Sequence, residues 1–297
     1  MVSRDVSGYV TADPAVGDFI ALLKPRVVAL VAFTGLVGLA LAPGQLHPLR
    51  GAIAILCIAV GAGAAGAFNM WYERDIDALM RRTANRPLPA GRMDPGTALA
   101  FAVTLALGSV AVMALATNPV AAALLGLAIL FYAGIYTVWL KRRTPQNIVI
   151  GGAAGAFPPL IGWAAVTGGI DVLPLLLFLV IFLWTPPHFW SLALVRSDDY
   201  ARAGVPMLPV VAGEAVTRRH IVGYALILLP VTLLPTAFGL AGTAYALGAL
   251  ALGIVFVLGA LGVAKTRETA PALRLFGYSI VYLAVLFALL LVDGGAA

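Results

Sequence analysis

Nine long apolar segments follow one another along this chain, and each is long enough to cross a lipid bilayer as a helix. A spanning helix needs about 20 mostly apolar residues. With 62% hydrophobic and 11% charged residues, the chain has too few charges to cover a water-soluble fold of this size. The runs are continuous rather than alternating, which favours helices over barrel strands. The predicted spans are residues 27–44, 51–72, 96–117, 119–140, 147–167, 172–195, 221–240, 243–264 and 275–292.

The basic residues of the loops predict the orientation of these spans. Of the 19 Lys and Arg residues, all except Arg50 fall in the N-terminal segment or in the loops after the second, fourth, sixth and eighth spans. Basic loops stay in the cytoplasm, so we expect a multi-pass protein of a bacterial-type cytoplasmic (inner) membrane, with its N-terminus cytoplasmic and its C-terminus on the opposite side. Topology then explains the net charge of +6, and no nucleic-acid partner is expected.

The chain is predicted to form a single membrane domain over residues 1–297. Residues 1–25 are polar and lack the regions of a signal peptide, so they are predicted to be a cytoplasmic N-terminal segment. Residues 26–292 hold the nine spans, with predicted active-site loops at residues 73–95 and 196–218. The one cysteine, Cys57, lies in an apolar run and offers no disulfide or metal site.

Asn69, Glu73 and Asp77 stand four residues apart at the cytoplasmic end of the second span. On a helix this spacing lines three oxygen ligands along one face, over about 12 Å. Glu73 and Asp77 repel each other at this spacing, so a compensating cation is expected. Hard oxygen ligands suit Mg²⁺ that bridges to a phosphorylated substrate. Asp75 lies off this face and is predicted to be a solvated charge.

Basic side chains that could hold phosphate oxygens lie in two places. Arg81, Arg82 and Arg86 follow the acidic cluster in the same loop, and arginine binds phosphate bidentately. Lys141 and Arg142 end the fourth span. They are predicted to be a topological anchor or a diphosphate clamp facing the carboxylates, and these two interpretations are compatible.

A second polar cluster closes the sixth span, where residues 184–190 read WTPPHFW. The two prolines are expected to kink or open the helix. His188 is either a satisfied core group or a functional residue, and the sequence leaves both open. Asp198 and Asp199 follow on the cytoplasmic side. They could meet the first cluster there and hold two Mg²⁺ ions on one diphosphate.

Residues 69–77 resemble the first Asp-rich motif of the UbiA superfamily of intramembrane prenyltransferases. The resemblance extends over residues 23–26, 69–92, 136–142, 147–163 and 184–209, and it is closest to the branch that farnesylates haem b. Glu73 replaces the commoner central Asp, and Val195 stands where the second motif, DxxxD, has its first Asp. The haem branch is expected to vary in this way, and which second-cluster residues bind metal stays open.

The resemblance implies an all-α integral membrane protein whose nine transmembrane helices surround a central cavity that opens to the cytoplasmic side. It also implies that Mg²⁺ and basic side chains bind farnesyl diphosphate. The farnesyl group then joins a vinyl group of haem b, and water completes haem O. The implied catalytic residues are Asn69, Glu73, Asp77 and Asp199, all of them also Mg²⁺ ligands together with Asp198. The implied diphosphate ligands are Arg81, Arg82, Arg86, Lys141 and Arg142, and the candidates for haem contact are His188, Trp184 and Tyr136.

The expected partners are farnesyl diphosphate, haem b and the lipid bilayer, with a downstream haem A synthase or oxidase assembly proteins. Two alternatives remain at this point. One is a UbiA-type enzyme with a phenolic or other tetrapyrrole acceptor. The other, from a different class, is a non-catalytic haem transporter or assembly factor, which would not need acidic and basic clusters on one face of the membrane.

Overall fold

The computed structural model describes residues 14–294, which form helices and no β-strand. The first 13 residues of the predicted N-terminal segment lie outside this part of the chain. The long helices are α2 (Pro25–Ala40), α3 (Pro48–Tyr72), α5 (Pro95–Ala116), α7 (Asn147–Thr167), α8 (Val172–Val195), α11 (Glu214–Ala237), α12 (Thr243–Lys265) and α13 (Ala270–Gly294). Helix α6 (Pro119–Leu130) continues into a π-helix (Phe131–Leu140). The short helices are α1 (Val16–Leu22), α4 (Arg74–Leu79), α9 (Ser197–Arg202) and α10 (Leu208–Val211).

Eight of these helical segments are individually long and apolar enough to cross a membrane. The protein is therefore a multi-pass membrane protein. A ninth span is reached only if α1 and α2 count together, because they meet at an angle of 53°. Part of the predicted cytoplasmic segment is thus helical. Its residue Asp18 accepts a hydrogen bond of 2.9 Å from Arg92 in the loop before α5.

The break between α1 and α2 has a local cause. Pro25 opens α2 and cannot donate an N–H, and Lys24 before it has φ 53°. Proline disfavours the right-handed helical region for the residue that precedes it, and a non-glycine residue at positive φ is strained. The first span therefore bends at this point rather than running straight.

Helices α2 and α7 cross at very short range because glycines face each other's backbones. A Cβ added to Gly38 would lie 2.1 Å from the Pro159 carbonyl oxygen, and one added to Gly162 would lie 2.0 Å from the Gly35 carbonyl oxygen. No side chain fits in this space. Small residues permit such close approach in membranes, where packing rather than hydrophobic exclusion holds helices together.

Each long helix packs against the next one along the chain, and α13 packs against α2, which closes the series. Helix α7 packs against α2, α6, α8 and the π-helix, and α13 packs against both α8 and α2. Two larger buried clusters fill the bundle, one around α8, α11, α12 and α13 and the other around α3, α6 and α7. The first cluster also contains Ile76 and Met80 after α3 together with Tyr200 and Met207 after α8. The two predicted active-site loops therefore share one buried cluster.

Helix α8 runs without interruption through Pro186 and Pro187. Of the two expected effects of these prolines, a kink or an opening of the sixth span, the opening does not occur. Hydroxyl groups in the adjoining turns bond to the helix backbone: Thr185 Oγ1 donates to the Ile181 carbonyl at 2.8 Å, and Ser191 Oγ donates to the Pro187 carbonyl at 2.7 Å.

Candidate functional site

Asn69, Glu73 and Asp77 are all buried at the junction of α3 and α4, with 2%, 0% and 1% of their surfaces exposed. Glu73 ends α3 outside the ideal helical region. The backbone N–H of Glu73 still donates to the Asn69 carbonyl at 3.0 Å, and the backbone N–H of Asp77 donates to the Glu73 carbonyl at 2.8 Å. These bonds keep the one-turn spacing across the break. Thr83 secures the end of α4, because its hydroxyl donates to the Asp77 carbonyl at 2.8 Å.

Each buried carboxylate has one oxygen in an ion pair and one without a partner. Glu73 Oε2 lies 2.5 Å from Lys141 Nζ, and Asp77 Oδ2 lies 2.6 Å from Arg86. The second oxygens, Glu73 Oε1 and Asp77 Oδ1, are buried and accept no hydrogen bond within residues 14–294. A buried acceptor without a partner costs about 1–3 kcal/mol. These two oxygens therefore indicate a ligand site for a cation or a donor group.

Asn69 joins three elements of the bundle. Its Oδ1 accepts a hydrogen bond from Lys24 Nζ at 2.9 Å, and its Nδ2 donates to Thr137 Oγ1 in the π-helix at 3.2 Å. Sequence reasoning did not select Lys24 or Thr137 as site residues. In the sequence, Lys24 is a topological charge within the resembling stretch 23–26, and its position directly before a proline indicates a restricted backbone.

The π-helix directs neighbouring basic residues to opposite sides. Lys141 reaches the buried Glu73, whereas Arg142 lies on the exposed side and binds Asp75 with two bonds of 2.7 and 2.8 Å. Arg142 also lies over the ring of Tyr72, at 5.0 Å from its centroid. Of the two predicted diphosphate ligands at this end of the helix, Lys141 lies at the buried carboxylates, and Arg142 lies away from them.

These ion pairs also set the protonation of the loop residues. The hydrogen bonds from Arg142 lower the pKa of the exposed Asp75 carboxyl below its usual value. Burial lowers the pKa of Lys141, but the attraction of Glu73 and its hydrogen bond outweigh burial, so the pKa of Lys141 is raised overall. Lys141 therefore stays charged at neutral pH.

Three tyrosines surround this pair. Tyr132 and Tyr136 of the π-helix lie within electrostatic range of Glu73, and Tyr200 of α9 lies within range of Lys141. The ring of Tyr136 sits against α7, where a Cβ on Gly151 would come within 2.2 Å of it. The glycine-rich start of α7 thus makes room for this ring beside the site.

The second acidic cluster does not join the first as a set of ligands. Asp199 is buried and pairs with Arg202, one turn away on α9. Asp198 is exposed. Within residues 14–294, no three His, Cys, Asp or Glu side chains converge in a way that could hold a metal ion. A metal bound at Glu73 and Asp77 must therefore complete its coordination with groups such as the Asn69 oxygen or oxygens of a ligand.

The remaining predicted arginines line the same loop. Arg86 is half-buried against Asp77, while Arg81 and Arg82 are exposed. Arg82 lies within electrostatic range of the Tyr136 hydroxyl. In this loop Arg86 is fixed against Asp77, and Arg81 and Arg82 lie on the surface. The two exposed arginines could reach a ligand only from the loop side.

His188 and Trp184 belong to α8, and their side chains contact α13. The His188 ring stacks on Trp184 at 4.2 Å and on Phe276 at 4.6 Å between centroids. Its Nδ1 lies 2.6 Å from Ser279 Oγ, and Trp184 donates to the Ser279 carbonyl at 2.9 Å. Because the Ser279 hydroxyl donates to the Phe276 carbonyl at 2.6 Å, it accepts from His188 Nδ1–H. Nδ1 then carries a proton.

Comparisons with known proteins agree with this architecture and these motifs. The pattern of the UbiA prenyltransferase family matches residues 31–292. The protoheme IX farnesyltransferase of Granulibacter bethesdensis is 58% identical over an alignment of 301 positions, which covers 98% of this chain and 95% of that protein.

Solved structures share the fold at low identity. A digeranylgeranylglyceryl phosphate synthase has a TM-score of 0.78 at 17% identity, over 95% of this chain and 99% of that one. A UbiA homologue from Archaeoglobus fulgidus, bound to DMAPP and Mg²⁺, has a TM-score of 0.65 at 16% identity, over 91% and 99%. The matched family pattern covers almost the whole bundle, and the chain belongs to the UbiA prenyltransferase family.

Proposed function

We propose that this prenyltransferase transfers the farnesyl group of farnesyl diphosphate to a vinyl group of haem b, with addition of water, to give haem O. The acceptor is supported by the 58% identity to a protoheme IX farnesyltransferase over nearly the whole length of both chains. The product would pass to terminal oxidase assembly, with a haem A synthase or oxidase assembly proteins as downstream partners.

One observation supports the donor half of the reaction most directly. Glu73 Oε1 and Asp77 Oδ1 are buried and unpartnered, while their sister oxygens are bound to Lys141 and Arg86. Hard oxygens with free lone pairs fit Mg²⁺, and the adjacent cations fit diphosphate oxygens. Asn69, Glu73 and Asp77 would hold the metal. When bound, Mg²⁺ supplies positive charge that stabilises the departing diphosphate.

The side chains of this protein divide the remaining work. Lys141 and Arg86 bind the diphosphate, and Arg81, Arg82 and Arg142 are proposed outer contacts. The C1–O bond of the donor breaks, the diphosphate keeps the electron pair, and the vinyl terminal carbon bonds to farnesyl C1. The cation left beside the porphyrin ring then takes a water oxygen and releases one proton. The buried walls of the site keep other water from the farnesyl cation before this step.

The second acidic cluster and the aromatic pair have proposed roles as well. Asp199, with Asp198, is proposed to hold a second Mg²⁺ after Asp199 exchanges its Arg202 partner for the metal; the burial of Asp199 supports this role. His188, Trp184 and Tyr136 are proposed to contact haem. The geometry that supports them is an ordered aromatic stack with a fixed imidazole and a buried tyrosine beside the carboxylates.

We place the site at the cytoplasmic side of the inner membrane, in a central cavity that opens to that side. Every basic residue except Arg50 supports this orientation. Reporter fusions in the loops at Arg81, Arg142, Arg202 and Arg267 should report a cytoplasmic location, and a fusion after Ala297 the opposite one. A cytoplasmic reporter signal after Ala297 would exclude an odd number of spans with the N-terminus inside.

Purified protein in lipid, supplied with haem b, farnesyl diphosphate and Mg²⁺, should produce haem O, detected by mass spectrometry as haem b plus farnesyl plus water. Chelation of Mg²⁺ should stop product formation. Farnesyl transfer to a phenolic acceptor with haem b unchanged would retain the donor chemistry and reject the haem acceptor. If no diphosphate is released with any acceptor, a haem transporter or assembly factor becomes the better explanation.

A further inference from the structure

Residues 83–92 form a tight loop that carries Arg86. The backbone N–H of Arg86 donates to the Thr83 carbonyl at 2.9 Å, and the backbone N–H of Arg92 donates to the Pro87 carbonyl at 2.9 Å. These bonds close successive turns, but they join the loop only to itself. The position of the loop on the bundle therefore depends on the contacts that it makes with other elements.

The side chain of Arg92 fixes the loop at two points. Its Nη2 donates to the carbonyl of Asn85, the residue directly before Arg86, at 3.0 Å. Its Nε donates to Asp18 Oδ1 in α1 at 2.9 Å. One guanidinium group can make both bonds because its donors lie in a rigid plane. Arg92 thus connects the backbone beside Arg86 to the first helix.

Asp18 is a buried residue, with 9% of its surface exposed. A buried carboxylate is costly unless it is paired. Among the residues that the structure describes, Arg92 is the one cation within 4.0 Å of the Asp18 carboxylate. The burial of this carboxylate and its single cationic partner distinguish the pair from a chance meeting of two surface charges.

Apolar side chains pack around the same junction. Leu22 of α1 shares a buried cluster with Leu88 of the loop, with Met93 directly after it, and with Ala67 and Met70 of α3. Helix α1 also contacts α3 directly. The first helix and the loop therefore pack together beside α3, and the bond between Asp18 and Arg92 adds a directional contact to this apolar packing.

The loop also reaches the buried carboxylates of the site. Arg86 is half-buried, and its Nη1 lies 2.6 Å from Asp77 Oδ2. A shift of the loop by about 1 Å would take this contact beyond hydrogen-bond range. Because Asn85 and Arg86 are adjacent, the bond from Arg92 to the Asn85 carbonyl limits such a shift.

We propose that Asp18 and Arg92 are positioning residues that act through Arg86: they latch the loop to α1 and so hold the Arg86 guanidinium where it can bind the diphosphate. Neither residue touches the substrate itself. The inference rests on the proposed function for the role of Arg86. It gives the short first helix, which sequence reasoning assigned to a polar cytoplasmic segment, a part in substrate binding.

The experiment measures binding of inorganic pyrophosphate in the presence of Mn²⁺, by calorimetry on full-length protein in lipid nanodiscs. Asp18→Ala should weaken pyrophosphate binding about 3- to 10-fold, the range for loss of one hydrogen-bonded contact. The matched control is Asp94→Ala. Asp94 is an exposed carboxylate two residues after Arg92 that caps α5, and its loss should leave pyrophosphate affinity unchanged.

Coupling to Arg86 distinguishes a positioning role from general destabilisation. In an Arg86→Gln background, Asp18→Ala should cause no further loss of affinity, because residues that act through one contact are not additive. General destabilisation would lower affinity by the same factor in both backgrounds, and that result would overturn the inference.

The Asp18→Ala/Arg92→Ala double variant covers the case in which a single variant fails to fold, because it leaves neither charge without its partner. It should bind pyrophosphate at least as weakly as Asp18→Ala, and wild-type affinity in either folded variant would overturn the inference. The outcome is separable from that of the proposed function. Asp18-dependent pyrophosphate binding in a protein that forms no haem O would support the latch and reject the haem reaction.

Discussion

Glu73→Gln and Asp77→Asn should each lower turnover by at least ~10²-fold, as expected when one group that stabilises developing charge is removed. Both substitutions keep side-chain size and burial, so the loss would come from the missing negative charge. Each also leaves Lys141 or Arg86 without its carboxylate partner. The measurement is the initial rate of haem O formation with saturating farnesyl diphosphate and Mg²⁺.

Asp75→Asn provides the matched control. Asp75 lies between the two critical residues in sequence, but its side chain is 61% exposed and paired with Arg142 away from the buried carboxylates. Exposed ion pairs contribute about 0–1 kcal/mol to stability, so the rate should stay within a few-fold of the wild type. Equal losses for Asp75→Asn and Asp77→Asn would contradict the assignment of the buried face as the metal-binding face.

Gly162→Ala should cause the largest loss of stability among single-methyl additions in α7. Its Cβ would lie 2.0 Å from the Gly35 carbonyl oxygen and 2.8 Å from the Leu39 amide nitrogen, and neither backbone group can rotate away. Forcing extra volume into a packed interior typically costs 1–3 kcal/mol, and about 3 kcal/mol or more is expected here. The measurement is thermal denaturation in detergent, in which the fraction of protein that stays monodisperse is recorded against temperature.

Gly155→Ala is the control within the same helix. Nothing lies within 4 Å of a Cβ at Gly155, and alanine is a better helix former than glycine. The melting temperature of this variant should equal or exceed that of the wild type. If Gly162→Ala is as stable as Gly155→Ala, then α2 and α7 do not cross at the distance described.

Hydropathy located the spans well because the bilayer imposes a length and a polarity on each helix. The first span was the exception. Its predicted range began at Val27, but the structure has a short helix from Val16, a break at Lys24 and a new start at Pro25. Hydropathy averages over a window and cannot register one strained backbone angle.

Helical spacing separated Glu73 and Asp77 from Asp75 because it determines which side chains share a face. The same reasoning could not separate Lys141 from Arg142. Both are basic, adjacent and at the end of a span, and their directions depend on the π-helical turns that precede them. Nothing in the local sequence prescribes that change of helical pitch.

Sequence reasoning could not identify contacts between distant segments, because these contacts depend on how the helices pack. Lys24 meets Asn69 across 45 positions, and the Ser279 that fixes His188 lies 91 positions away. The pairing of Asp199 with Arg202 is local, yet the sequence around this carboxylate gives no sign of which cation will pair with it. Motif spacing identified the chemistry, and packing determined the partners.

Electron paramagnetic resonance of Mn²⁺ tests the central claim most directly, since the claim is that the two unpartnered oxygens of Glu73 and Asp77 hold the metal–diphosphate complex. Wild-type protein with farnesyl diphosphate and no haem should show bound Mn²⁺. The Glu73→Gln/Asp77→Asn double variant should lose the bound signal, and Asp75→Asn should retain it. Equal Mn²⁺ binding by the folded double variant and the wild type would contradict the account.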